Sequence, residues 1–366
     1  MELQFSKGKI IGHIVAYILL FLAGDLLNSL VFDLLFSIVK LPMRSLYSVF
    51  RTLGCLIFTY LLFWLYTIKI LRLKMENFRI TLSIKKWAFL YAVILPFFVV
   101  ICYFIIGDLT MTALNAGEII AAVIYSAIAA LKAGVLEEML FRGYILKLLE
   151  LKWGKVVAVL IPSFLFSLMH IPSMDEFSVA GILLLVISGT LVGIMFSLIT
   201  YMGNSISNSS LLHAVWNFVF VTDMIHITTA QGIYGEPVFS IIIPSDHVLV
   251  TGAGFGVEAS IIAIIGYLAV CGVVILRKSD EYYFQLIWEL LKNCVLNPSD
   301  KTFEDFKMMI QESYDFAKEK FIKRKRWLKR RIFGRYRKCV WKERKNHAGI
   351  CPQYLYAGIS GRRLPL

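Results

Sequence analysis

Three short polar groups stand inside otherwise lipid-like stretches of this sequence: Glu137, Glu138 and Arg142; His170; and His213 with Asn217. An ionisable side chain inside a bilayer costs a few kcal/mol, so such residues face a protein interior or a water-filled cavity and mark candidate sites. Glu138 and Arg142 are four apart, share a helix face and can pair. Glu137 diverges from Glu138 by ~100°, the angular step between neighbouring helical residues. The two carboxylates therefore cannot share a proton as an aspartic dyad does. One is anchored, and the other is free for chemistry. Taken singly, each group has a plainer reading: a salt-bridged helix end, a structural histidine at a helix terminus, and two polar residues holding helices together at ~0.6–2 kcal/mol per contact.

Taken together, they are the parts for amide hydrolysis. Glu137 can act as general base on a water, helped by His170. His213 and Asn217 can offer donors to a developing oxyanion, where losing one donor costs ~2.7–4 kcal/mol. Glu137, His170 and His213 are also chemically plausible zinc ligands. Against zinc, no H-E-x-x-H helix is present, and an asparagine suits an oxyanion site better than a metal shell. Depth decides whether the groups can meet. At 1.5 Å rise per residue, Glu137 lies ~15–20 Å, His170 ~22 Å and His213 ~12 Å from the inner ends of their helices. One shared level accounts for all three.

The elements that must carry these residues follow from composition. The chain has 366 residues, of which 58% are hydrophobic and 17% charged, against roughly 45–50% and 25% in a soluble domain. The excess falls into eight runs, roughly 11–39, 48–70, 87–107, 118–146, 155–171, 178–202, 205–225 and 258–276, each suited to one membrane helix. The expected fold is an all-α polytopic bundle of eight spans with both termini cytoplasmic. The charges of the links agree: Lys69, Arg72, Lys74, Arg79, Lys85 and Lys86 follow span two, and Lys147, Lys152 and Lys155 separate spans four and five. The 226–257 link, expected outside, has no Lys or Arg, and only Lys40 and Arg44 in the first external link disagree. Asp25, Asn28, Asp33 and Lys132 are further polar residues in the apolar runs, read as interhelical packing. Six scattered cysteines suggest neither a disulfide framework nor a zinc finger.

Residues 1–276 form the expected membrane domain, and 277–366 a basic cytoplasmic tail. The tail holds 22 Lys/Arg and 10 Asp/Glu, hence +12 of the formal +13. Its stretch Phe321–Lys345 interleaves basic and aromatic residues, which suits anionic lipid at ~1 kcal/mol per basic residue. Nucleic acid is the less favoured partner, because the tail follows a span whose inner end is already at the membrane.

The motifs E-E-x-x-x-R (137–142), F-x-x-x-H (Phe166 to His170) and H-x-x-x-N (His213 to Asn217), in this order on successive spans, resemble those of the CPBP family, the CAAX proteases and bacteriocin-processing enzymes also called the Abi family. The resemblance covers about residues 118–225. It implies an eight-helix intramembrane glutamic endopeptidase without a metal cofactor. In that reading Glu137 activates water, His170 assists, His213 and Asn217 form the oxyanion site, and Glu138 and Arg142 brace the helix. The substrates it implies are prenylated proteins, leader peptides or other membrane-associated peptides. The preferred home is a bacterial plasma membrane, with the endoplasmic reticulum as the alternative. A zinc-dependent membrane protease and a non-enzymatic scaffold or immunity protein are the competing readings.

Overall fold

A computed structural model of the chain describes residues 5–39, 44–230, 232 and 235–277. The basic tail beyond Arg277, including Phe321–Lys345, lies outside the described residues. The long helices are α1 (Lys7–Ile38), α2 (Arg44–Leu65), α3 (Lys86–Ile106), α4 (Ala116–Glu138), α5 (Leu146–Met169), α6 (Val179–Gly203) and α7 (Ile206–Phe220). A single turn, α8 (Val248–Thr251), precedes a final apolar helix, α9 (Ile261–Arg277).

Helix starts are written in local chemistry. The Asn115 side chain accepts from the Glu118 amide at 3.0 Å while Glu118 accepts from the Asn115 amide at 2.8 Å, a reciprocal cap that opens α4. Ser178 caps α6 through the Gly181 amide at 3.0 Å. The expected fourth and fifth spans are one helical run, Ala116–Ser173. It passes through a π-helical segment, Met139–Ile145, and breaks at Gly154, where φ 78° and ψ 175° suit a residue without Cβ. The fourth run therefore extends past residue 146 and reverses at Gly154 rather than in a polar loop.

Among the described residues, five helical runs are long and apolar enough to cross a membrane. At 15 residues α7 falls short of the ~20 needed for a simple span, and α9 is also among the shorter apolar helices. Large apolar side chains such as Leu34 and Ile105 stand more than half exposed on the outer surface, as a lipid-facing helix requires.

The fold is not purely α. Strands β1 (Asp108–Met111), β2 (Ile225–Thr228) and β3 (Phe239–Ile242) form a sheet in the order β1-β3-β2. β1 pairs antiparallel with β3, Asp108 opposite Ile242, and β2 runs parallel to β3, Ile225 opposite Phe239. β-branched residues such as Ile225, Ile227 and Ile241 favour this extended chain. The sheet joins the link after α3 to the links after α7, so these segments share one end of the bundle.

At the other end, the segment before α3 clamps the start of α7. The Ile206 amide donates to the Arg79 carbonyl at 2.9 Å, Asn208 accepts from the Lys85 amide at 2.8 Å, and Arg79 meets Glu150 at 2.7 Å. α5 and α6 pack through small residues: a Cβ added at Gly189 or Gly193 would come within 2.7 Å of Ser167 or Ser163. Glycines spaced by four let membrane helices approach closely, and Ser167 lies one turn before His170. Gly193→Val should therefore force α5 from α6, lowering the stability of the solubilised protein by ~1–3 kcal/mol. Thermal unfolding in detergent measures it, and an unchanged midpoint would refute the close approach.

Candidate active site

Glu138 closes α4, and Arg142 sits in the π-helical segment that follows it. Such segments are rare and recur at functional sites. Every residue from Met139 to Ile145 is buried. Arg142 Nη1 donates to Glu138 Oε1 at 2.8 Å, and both side chains are 0% exposed. The guanidinium carbon lies 4.6 Å from the Phe166 ring centroid and 5.1 Å from that of Phe196. Aromatic faces attract a desolvated cation and take the place of part of its lost hydration. Phe166 thus serves the arginine as well as the histidine one turn after it.

Glu138 Oε1 also lies 3.2 Å from His213 Nδ1. One carboxylate oxygen therefore joins α4, the π segment and α7. The sequence reading assigned Glu138 to Arg142 alone; the tie to His213 needed the rotation of α7, which spacing does not reveal. His213 also stacks on Phe196, with ring centroids 4.8 Å apart and planes 18° apart.

Glu137 points elsewhere, as the helical step requires. Its Oε2 lies 3.8 Å from both His170 Nε2 and His213 Nε2. That oxygen is buried without a hydrogen-bond partner, while the Glu137 side chain is 20% exposed against 0% for Glu138. His170 Nδ1 lies 2.7 Å from the Phe166 carbonyl. A carbonyl only accepts, so Nδ1 carries a proton, and Nε2 is the ring nitrogen turned toward Glu137. Asn217, one turn beyond His213, is 8% exposed. Glu137, His170, His213 and Asn217 line one cavity of about 470 Å³ with Phe166. Glu138 and Arg142 stand behind its wall.

Glu258 was missing from the site expected from sequence. It follows Gly256 and Val257 in the link before α9, lines the same cavity, and accepts from Trp216 Nε1 at 2.9 Å. An acidic residue at the edge of an apolar run, the criterion that found Glu137, was the available signal. Here it was absorbed into the expected 258–276 span, whereas α9 begins at Ile261. Asp25, Asn28 and Asp33 do not line the cavity. Asn28 donates to the Arg51 carbonyl at 3.0 Å and Asp33 accepts from Tyr47 at 2.8 Å, which ties α1 to α2.

As a metal site the cluster has glutamate and imidazole donors of suitable type. Among the described residues, however, no group of three or more His, Cys, Asp or Glu has the arrangement of a metal site.

Removing one partner of a buried ion pair leaves an uncompensated charge. Arg142→Met should thus destabilise the protein by ~3–5 kcal/mol, and adding Glu138→Gln should recover part of the loss. Thermal unfolding of the single and double variants measures this, and additive losses would show that the pair is not coupled.

Residues 119–219 match the family described as Rce1-like, type II CAAX prenyl endopeptidase Rce1-like. The matched segment holds all three motifs and supports the CPBP/CAAX protease family that they resemble. It covers a little over a quarter of the chain. No curated protein and no solved structure matches the chain.

Proposed function

We propose that the protein is an intramembrane endopeptidase in which Glu137 activates the attacking water. The observation that carries this reading is the unpartnered, buried Glu137 Oε2 with two imidazole Nε2 atoms at 3.8 Å. A water seated against these three atoms can donate one hydrogen to Glu137 and the other to His170, whose Nδ1 proton is held by the Phe166 carbonyl. Its remaining lone pairs then face the substrate carbonyl. Loss of the proton to Glu137 generates the nucleophile, and Glu137 or His170 returns a proton to the departing amine.

The oxyanion needs donors that are in place beforehand. Asn217 supplies an amide N–H. With Nδ1–H donating to Glu138 across 3.2 Å, His213 donates from Nε2 as well when the ring is the imidazolium. Glu138 thus acts through His213, and Arg142 holds Glu138. The substrates in this reading are peptide bonds of membrane-associated proteins, the class to which prenylated CAAX-type chains and leader peptides belong. The basic tail, in the same reading, rests on anionic lipid.

Glutamate and imidazole are suitable zinc donors by type, so a zinc-dependent variant of the same hydrolysis is the alternative reading. Elemental analysis separates the two: stoichiometric zinc whose removal abolishes cleavage would replace water activation by Glu137 alone.

Glu137→Gln should lower kcat by at least ~10²-fold, the usual contribution of a general base, without a change in thermal midpoint. Comparing the termini of membrane peptides between cells carrying wild type and Glu137→Gln identifies the substrates. Unchanged termini and unchanged turnover would overturn the assignment. Asn217→Ala should lower kcat by ~10²–10³-fold with little effect on KM; a loss confined to KM would make Asn217 a ground-state contact.

A further inference from the structure

The cavity is asymmetric in charge and in where it opens. Its wall carries four carboxylates, Glu137, Asp175, Asp223 and Glu258, and neither a lysine nor an arginine. Positive charge on the wall is confined to histidines. Of these, His213 is tied to Glu138, and His226 Nε2 stands 3.7 Å from Asp223 Oδ1. Asp175 is exposed and the Asp223 side chain is 52% exposed, so these two mark the mouth. The mouth is built from the link after α5, the α7–β2 turn and the segment before α9. These segments lie with the β-sheet at one end of the bundle.

The sequence of the links at that end is acidic. Links 107–115, 171–178 and 221–260 hold seven Asp or Glu and no Lys or Arg. Basic residues gather at the opposite end. There Arg79 bonds Asn204 and Glu150, Lys85 adjoins Asn208, and Lys147 pairs with Glu150. In the sequence, Lys40 and Arg44 are the exception to this separation. Lys and Arg are retained on the cytoplasmic side of membrane proteins, so the basic end faces the cytoplasm and the mouth faces away from it.

We infer that the cavity takes a cationic peptide segment presented on the non-cytoplasmic face of the membrane. This rests on the endopeptidase reading of the site. A cleft lined by one sign of charge, with low-dielectric walls, concentrates ligands of the opposite sign. A free C-terminal carboxylate in the same cavity meets a wall of Asp and Glu side chains and no Lys or Arg to pair with. Among the membrane-associated substrates proposed above, this favours a segment internal to its chain, or one with lysine or arginine beside the cleaved bond, over the free end of a CAAX-type chain.

Two measurements test this without relying on cleavage. Glu176→Cys lies at the mouth end and Lys86→Cys at the basic end, both exposed. In intact cells, a membrane-impermeant maleimide should label Glu176→Cys above the wild-type signal, and Lys86→Cys only after permeabilisation. The reverse pattern overturns the inference. Binding of fluorescent peptides to the full-length Glu137→Gln protein in nanodiscs gives the second measurement. A lysine-containing peptide should bind about tenfold more tightly at low salt than its glutamine-substituted counterpart. The preference should disappear in Asp175→Asn/Asp223→Asn. Equal binding of the two peptides overturns the inference. Correct labelling and selective binding by a protein that cuts nothing would count against the endopeptidase reading and support this one.

Discussion

Everything in the polar centre of this protein depends on one buried carboxylate oxygen. Glu138 Oε1 accepts from Arg142 at 2.8 Å and lies 3.2 Å from His213 Nδ1. A charge withdrawn from water is tolerated only when it is paired and hydrogen-bonded, and here the pairing also sets geometry. It fixes the end of α4 relative to α7 and turns the His213 ring so that Nε2 faces the cavity. It also releases Glu137, one residue earlier, from any structural duty. The aromatic cage of Phe166 and Phe196 around Arg142 does the rest of the desolvation work.

Around this hub the bundle brings three helices to one level by different means. α4 is started by the Asn115–Glu118 cap and loosened at its end by the π-helical segment. α5 reaches α6 through Ser163 and Ser167 against Gly193 and Gly189, which places Phe166 and His170 beside Phe196. α7 is held from below by the backbone of residues 79–85. No one of these contacts is strong. Each removes a freedom of the side chains around the cavity, and in the proposed enzyme positioning at the ångström scale would govern rate.

The sequence made the helical part of this arrangement legible. The fixed helical step separated the roles of Glu137 and Glu138, and the structure leaves Glu137 partly exposed with Glu138 fully buried. Rise per residue was enough to expect Glu137, His170 and His213 at one level. Three features escaped. The link from Glu138 to His213 depends on how α7 is rotated, which its apolar character on most faces does not specify. Glu258 arrives from a link far along the chain, where no periodicity operates. The strands are four residues each, too short for alternation to separate them from loop. The break at Gly154 was readable only as a link between two runs, because a single positive φ leaves no composition signal beyond one glycine.

The size of the cavity has a consequence for the chain that enters it. Its ~470 Å³ is that of a site for a drug-sized molecule, whereas an α-helix with its side chains is ~10–12 Å across. On the endopeptidase reading, a helical segment would not enter it intact. A chain leaving the bilayer would first give up its own backbone hydrogen bonds locally and enter extended. Local helix stability of the incoming segment would thereby become a selectivity filter, separate from any side chain it carries, with segments weakened by glycine or proline admitted ahead of uninterrupted helices.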